Sequence, residues 1–338
     1  MIIVMAASAT APQIDAVVGR IRAAGLSEHI SRGTERTIIG AVGDERSLSA
    51  DMFETMPGVE RAMRVVKDYR MVSREVKPDS SVVSIRGVPI GGPQLQLIAG
   101  PGAIEDAAQL NALAGELRAQ GVRLLRGGAF KPRTSPYAFQ GVGEIGLEYL
   151  QQAARAHGMP MISEILDVRL LDTFLEYDVD AIQVGPRNMQ NVPLLRELGC
   201  INKPVLLYRG VSATLSEWLM AAEYIAIGGN HNIVLCERGI RSFEPAARHA
   251  LDISAIPLLK RETHLPVLVD PSHAGGRGWL VPPLAAAAVA AGADGLLLEV
   301  HPSPQDAWCD AEQAITPAEL QALQAQLQPL AAAVGRSL

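Results

Sequence analysis

Leu-Arg-Gly-Gly-Ala-Phe-Lys-Pro-Arg-Thr-Ser-Pro-Tyr-Ala-Phe-Gln-Gly occupies residues 125–141, directly after the apolar run that begins at Val122. The run reads as a strand, and the stretch that follows reads as the loop it delivers. Arg126, Lys131 and Arg133 place three cations in that loop, while Gly127, Gly128, Pro132 and Pro136 shape its backbone. Arginine offers a planar fork to a carboxylate or phosphate, lysine a point charge, and Thr134 and Ser135 add hydroxyl donors. A rigid cationic loop at a strand end suits a small anion, most naturally a phosphate. A solvated basic turn is the plainer alternative. Against it, the protein as a whole is acidic, and other arginines follow apolar runs in the same way.

Working outward, the same unit recurs. From residue 95, apolar runs alternate with helix-length segments: Leu95–Ala99, Val122–Leu125, Met159–Ile162, Ala181–Val184, Val205–Leu207, Ile233–Cys236, Val267–Val269 and Leu296–Leu298. Helices are expected over 105–119, 144–157, 168–177, 191–198, 214–227, 246–260, 282–291 and 317–334. Runs apolar on both faces belong to a buried parallel sheet. Eight such units in about 240 residues predict an α/β fold of the (β/α)8, or TIM barrel, type. Residues 1–70 carry a different pattern: a strand at Ile2–Met5, a helix over 12–25, a strand at Arg36–Val42, a helix over 48–54 and a strand at Val59–Val66. The order predicts a small α+β, ferredoxin-like domain. It holds no cluster of catalytic residue types, so a regulatory or assembly role is expected of it. Residues 71–94, rich in Pro, Gly and Ser, are expected to be a linker, and 95–338 the barrel.

Composition narrows the partners. The chain has 338 residues, 48% of them hydrophobic and 4% aromatic, with a net charge of −6. No basic tail or interleaved basic and aromatic tract is present, which argues against nucleic acid. No apolar run is long enough to span a bilayer. The first residues lack the charged start of a signal peptide. Cys200, Cys236 and Cys309 show no paired or metal spacing, so a reduced, cytoplasmic setting is expected.

Chemistry in a barrel of this kind lies at the C-terminal ends of the strands. The residues that follow the runs are Gly100-Pro101-Gly102, Arg126, Ser163-Glu164, Gly185-Pro186-Arg187-Asn188, Tyr208-Arg209-Gly210, Glu237-Arg238-Gly239, Asp270-Pro271-Ser272-His273 and Glu299-Val300-His301. Arg126, Arg187, Arg209, Arg238 and Lys131 are expected to converge on one mouth, with His273, Glu299 and Asp310. The cationic half would hold phosphate and carboxylate. An imidazole with two carboxylates suits a divalent transition metal, although many such triads are only hydrogen-bond networks.

The motifs Lys-Pro-Arg-Thr-Ser-Pro (131–136), Asn188-Met189-Gln190-Asn191, Cys236-Glu237-Arg238-Gly239-Ile240-Arg241, Asp270-Pro271-Ser272-His273-Ala274 and Glu299-Val300-His301-Pro302 resemble those of 3-deoxy-D-arabino-heptulosonate 7-phosphate (DAHP) synthases. The resemblance is to the type Iβ class with an N-terminal ferredoxin-like domain, and it extends to His29-Ile30-Ser31-Arg32-Gly33. It implies an aldol-type condensation of phosphoenolpyruvate (PEP) with erythrose 4-phosphate, the step that opens the shikimate route to aromatic amino acids. It further implies that Arg126, Lys131, Arg187 and Arg238 meet PEP, and that Arg133 and Thr134 meet the aldose phosphate. His273, Glu299 and Asp310 match three of the four ligands of a divalent metal (Mn, Fe, Zn or Co). Lys131, Glu164 and His273 are the candidate catalytic residues, and Ser135 and Tyr208 complete the candidate substrate-binding set. An aromatic amino acid effector and a homo-oligomer, tetramer or dimer, are the further partners implied.

Three positions depart from the family pattern. Gly102 stands where the fourth metal ligand, a cysteine, is expected, which weakens any metal site. Cys309 adjoins Asp310, but a residue next to a ligand usually points elsewhere. Tyr208 replaces a lysine that contacts PEP, so a hydrogen-bond donor remains and a charge is lost. Pro186 replaces a residue with a backbone N–H. All three fall on the PEP and metal side. Three readings follow: a DAHP synthase with an unusual metal site, a divergent homologue acting on a different small acid or phosphosugar without a metal or in specialised metabolism, and a non-catalytic paralogue that binds a ligand or partner.

Overall fold

The computed structural model describes all residues except 34–35, 44–48 and 64–68. The chain divides into two compact units, Met1–Pro78 and Asp79–Leu338.

The first unit runs β1 (Ile2–Met5), α1 (Ala11–Ala23), β2 (Ser27–Arg32), β3 (Thr37–Val42), α2 (Asp51–Glu54) and β4 (Val59–Met63). The sheet order is β2-β3-β1-β4, with antiparallel pairing throughout. Every residue of the central β1 is buried, which its uniformly apolar sequence allows. A capping box of Thr10 and Gln13 starts α1, which lays Ile14, Val17, Val18 and Ile21 on the sheet. The sequence pattern does not locate β2. Its residues, Ser-Glu-His-Ile-Ser-Arg, form an edge strand with a single apolar side chain and so lack the periodic signal. Residue 48 of the expected second helix and residues 64–66 of the expected last strand lie outside the described residues.

The second unit opens with a hairpin, β5 (Val83–Ile85) and β6 (Val88–Ile90), inside the stretch expected to be a linker. Val83, Ile85, Val88 and Ile90 are buried in the same cluster as Ile98, Leu124, Ile162, Leu206, Leu268 and Leu297 of the barrel. Arg86 at the hairpin tip reaches Asp178 and Asp180, just before the barrel strand that starts at Ala181, and the Ser81 N–H donates to the His264 carbonyl, just before the barrel strand that starts at Val267. The hairpin therefore stoppers the N-terminal end of the barrel and belongs to it, which corrects the linker reading: alternating burial overrides the Pro and Gly content.

Eight parallel strands close the barrel: β7 (Gln96–Gly100), β8 (Leu124–Arg126), β9 (Met161–Ile165), β10 (Ala181–Val184), β11 (Val205–Tyr208), β12 (Ile233–Glu237), β13 (Val267–Val269) and β14 (Gly295–Glu299). The seam pairs β14 with β7, from Gly295 opposite Gln96 to Glu299 opposite Gly100. The helices are α3 (Ala107–Ala119), α4 (Glu144–His157), α5 (Leu171–Glu176), α6 (Val192–Gly199), α7 (Leu215–Ile227), α8 (Ala255–Glu262), α9 (Pro271–Gly275), α10 (Val281–Ala290) and α11 (Pro317–Ala333). The helix expected over 246–260 is corrected: it begins at Ala255. Asp252 accepts the Ala255 N–H and Pro257 sits in the first turn, both start signals for a helix at that point. The residues before it form a loop pinned by mutual backbone hydrogen bonds between Ile240 and Ala250.

Candidate active site

Strand alternation decides which strand-end residues enter the barrel. Tyr208 and Cys236 belong to the inward cluster, so their neighbours Arg209 and Glu237 face outward. Arg209 Nη1 lies 2.9 Å from both Glu237 Oε2 and Asp252 Oδ2. Of the arginines expected at the mouth, Arg209 is therefore withdrawn into an ion-pair network.

The remaining groups meet in a cleft of about 320 Å3 at the C-terminal end of the barrel, walled by Lys131, Arg133, Glu164, Arg187, Arg238 and His273. Arg126 lies beneath it and donates through Nη1 to Glu299 Oε1 at 2.9 Å, both side chains being almost fully buried. Burial works against both charges. The Glu299 charge nevertheless holds the Arg126 guanidinium firmly protonated, and His273 and Arg126 keep Glu299 below the usual carboxylate range. Gln313 Nε2 donates to the other Glu299 oxygen at 2.7 Å.

The short helix α9, which no periodicity announced, carries His273. Asp270 caps it, accepting the His273 N–H at 2.9 Å on Oδ1 and lying 2.6 Å from His273 Nδ1 through Oδ2. This directs Nε2 to within 3.3 Å of Glu299 Oε1. Asp310, held in a left-handed conformation with φ of 56°, completes the group. Lys131 Nζ lies 3.5 Å from Asp310 and donates to the Gly102 carbonyl at 2.8 Å. Against the cost of burial, Lys131, the Cys309 thiol and His273 hold the Asp310 carboxyl well below its ordinary range.

Ligand atoms of His273, Glu299 and Asp310 all lie within 4.8 Å of one another. The Asp270–His273 hydrogen bond is the outer-shell arrangement that fixes the tautomer of a ligating histidine. The donor set thus fits a divalent ion as a three-ligand site. Gly102 adds no donor, and a Cβ there would come within 2.7 Å of Glu299 Oε1. Cys309 does not fill that role: its thiol donates to Asp310 Oδ2 at 3.0 Å, and burial pushes its pKa up to about 11. It stays a protonated thiol near neutral pH.

The anion-binding candidates divide by depth. Arg187 is exposed at the rim and donates to Thr134 Oγ1 at 3.1 Å. Arg133 lies against Cys309 and 4.0 Å from Asp310. Ser135 is exposed, its hydroxyl accepting the Tyr137 N–H. Arg238 differs from all of these. It is 6% exposed, its Nε is buried without an acceptor, and it makes no hydrogen bond or ion pair with any described residue. Glu164 lies 3.4 Å from Gln183 Nε2, and burial raises its carboxyl pKa against the pull of Lys131. Tyr208 lines the cleft, but its hydroxyl donates to Asp270 Oδ2 at 2.9 Å, so that proton is committed to the protein. Arg248 and Gln313 were not singled out from the sequence. Arg248 lies within the stretch expected to be helical, and Asp252 as a helix start signal is what places it in a loop instead.

A closed parallel barrel with a cationic cleft beside a His/Glu/Asp triad is the framework of an anion-handling enzyme with a candidate metal site. Comparison narrows the class. The DAHP synthetase I family matches residues 75–335, and the DAHP synthase ferredoxin-like domain matches residues 1–67. The phospho-2-dehydro-3-deoxyheptonate aldolase of Thermotoga maritima is 49% identical over 335 residues, covering 99% of each chain. Its crystal structure superimposes with a TM-score of 0.79 at 48% identity, covering 99% of this chain and 98% of that one. The 2-dehydro-3-deoxyphosphooctonate aldolase of Syntrophotalea carbinolica is 34% identical over 254 residues, 69% of this chain and 89% of that relative. The chain belongs to the DAHP synthetase I family.

Proposed function

We propose that this protein condenses PEP with erythrose 4-phosphate to give DAHP and inorganic phosphate. The observation that carries this reading is Arg238. Its Nε is buried without an acceptor, and a charge held partly out of water with no anionic partner is unfavourable. Its place in the cleft is explained by an anion that arrives with the substrate. Arg238, Lys131 and Arg187 receive the phosphate and carboxylate of PEP. Arg133, Thr134 and Ser135, nearer the opening, receive the phosphate of the aldose. This holds C3 of PEP against the aldehyde carbon, and the carbon–carbon bond forms there.

Lys131 lines the cleft 3.5 Å from Asp310 and is placed to give a proton to the aldehyde oxygen as it becomes an alkoxide. Glu164, whose carboxyl pKa burial raises, takes one from the water that attacks the former enol carbon. Phosphate then leaves that carbon. Asp270 keeps His273 in one orientation throughout. A divalent ion of Mn, Fe, Zn or Co held by His273, Glu299 and Asp310 would supply Lewis acidity toward the aldehyde oxygen. The same reading assigns the ferredoxin-like unit an aromatic amino acid effector, a homo-oligomeric assembly, and a cytoplasmic pathway.

Tyr208 favours a second reading. Its phenol is committed to Asp270, so that wall of the cleft offers a PEP phosphate no charge, and a different small acid would fit it as well. One assay separates the two. The full chain is incubated with PEP and erythrose 4-phosphate, with EDTA or added Mn²⁺, and phosphate release is followed. Turnover supported by Mn²⁺ and abolished by EDTA is expected. Calorimetric binding of erythrose 4-phosphate without turnover would move the assignment to the second reading, and binding of neither substrate would overturn both.

A further inference from the structure

Arg248 stands between two cavities. It lines the cleft of about 320 Å3 on one side and, on the other, a separate cavity of about 390 Å3 bounded by Arg277 and Glu312. Its Nη1 donates to Asp310 Oδ1 at 3.1 Å and to Gln313 Oε1 at 2.6 Å. Gln313 in turn donates to Glu299. One guanidinium thus touches one carboxylate of the triad directly and the other through a single amide.

The backbone beneath it is fixed. The Arg248 N–H donates to the Gly275 carbonyl and the His249 N–H to the Ala274 carbonyl, which ties the loop to α9, the helix of His273. Gly276, at φ of 67°, lets the stem pack so closely that a Cβ there would lie 2.4 Å from Arg248 Cβ. The tip is less confined. Three cations surround Asp310, and their side-chain exposures are 7% for Lys131, 29% for Arg133 and 42% for Arg248. Lys131 is also tethered to the Gly102 carbonyl. Of the three, Arg248 is the most exposed, and it has open volume on both sides.

We propose that Arg248 is a displaceable counter-ion. It neutralises Asp310 while the triad carries no metal, and it turns into the cleft as an additional anion contact when a divalent ion takes the Asp310 carboxylate. The inference rests on the metal-site reading given above. Its physical basis is that a divalent ion on Asp310 cancels the negative charge that holds Arg248 and repels the guanidinium. The released cation then needs an anion, and the cleft is where one binds. Metal and anion affinity become coupled, and the coupling is reciprocal.

The test titrates Mn²⁺ into the chelator-stripped full chain by calorimetry, with and without sulfate as the tetrahedral dianion. In the wild type, sulfate is expected to tighten Mn²⁺ binding by about fivefold or more, the lower range of typical coupling. In Arg248→Gln, and in Arg248→Leu as a second variant, Mn²⁺ alone binds more tightly than in the wild type because a competing cation is gone. In both, the sulfate effect falls below about twofold. Arg277→Gln removes a charge from the outer cavity without touching Asp310 and keeps the wild-type response. A wild type that binds Mn²⁺, with Arg248 variants equally sensitive to sulfate, overturns the counter-ion role and leaves the metal site standing. A wild type that takes no Mn²⁺ in either buffer overturns both.

Discussion

Replacing Arg238 by methionine should make the protein more stable and less able to hold an anion. Methionine keeps the unbranched stem and removes the charge. In the wild type that charge is 6% exposed, and its Nε has no acceptor. Exchanging buried ionic groups for apolar ones of similar size is neutral or stabilising by about 1–4 kcal/mol, and here no ion pair within the protein is lost. Each kcal/mol is worth about 2–4 °C in Tm for chains of 150–250 residues, and somewhat less for a longer one. Anion binding should move the other way. A hydrogen bond to a charged group contributes about 1.5–3 kcal/mol, so the variant's affinity falls by roughly 10- to 150-fold. Thermal melting of both proteins across a sulfate series reads the two effects together. At a sulfate concentration 100 times its Kd the wild type gains about 2.7 kcal/mol, while the variant gains far less, so the stability curves should cross. A variant that melts lower than the wild type without sulfate would show that Arg238 has a protein partner. A variant with an unchanged sulfate response would remove it from the anion site, and the functional assignment would lose its main support.

Four further outcomes are expected. Gly102→Cys forces the Glu299 carboxylate off Arg126, because the new Cβ would sit 2.7 Å from Oε1. The metal-free protein should lose about 1–3 kcal/mol to overpacking and recover on addition of Zn²⁺; identical melting in EDTA and Zn²⁺ would contradict this. Tyr208→Phe strips a donor from the buried Asp270 and should cost about 1–3 kcal/mol in urea unfolding, whereas an unshifted midpoint would show the bond to be inconsequential. His249 is a neutral imidazole whose pKa burial, together with Arg238 and Arg248, pushes down to about 4. Its contribution is present above an unfolded value of about 6.5 and is lost as pH falls through the folded value, so unfolding midpoints should drop between pH 7.5 and about 4. His249→Gln should flatten that slope. Finally, EDTA should lower both turnover and Tm, and Mn²⁺ should restore both; a Tm indifferent to EDTA would argue that the triad holds no ion.

The barrel was legible because its strands are buried on both faces. Ala181–Val184 and Val267–Val269 coincide with β10 and β13, as continuous apolar runs between helices must. Elements that carry a half-signal were lost. β2 offers one apolar residue, and the β5–β6 hairpin hides its alternation around Arg86 and Gly87, both at positive φ as the turn requires. At the site, the strand ends gave the inventory of charges but not their pairings. Whether Arg209 or Tyr208 faces the barrel depends on register. That Tyr208 reaches Asp270, and Arg126 reaches Glu299, depends on strands far apart in sequence brought side by side. Arg248 illustrates the general difficulty: its loop has no periodicity, and only its hydrogen bonds to α9 explain why it arrives where it does.

The seam between β14 and β7 has a consequence for biosynthesis. Arg126 and Lys131 lie on the β7–β8 side and Glu299 and Asp310 on the β14 side, so their ion pairs form only when residue 96 finds residue 295. The closing strand is made about two hundred residues after its partner, and the Leu95 N–H donates to the Ser337 carbonyl. Closing so long a loop is entropically affordable, since each doubling of its length adds only about 0.6 kcal/mol, but such non-local pairing forms slowly. A nascent chain carries the cationic loop of residues 126–135 long before Glu299 and Asp310 exist to neutralise it. During that interval the half-built barrel is an electropositive surface with an open sheet edge, and it is then that the chain is most exposed to misassociation. Ligands that require both sides of the seam would act as folding sensors, binding only molecules whose first and last strands have met.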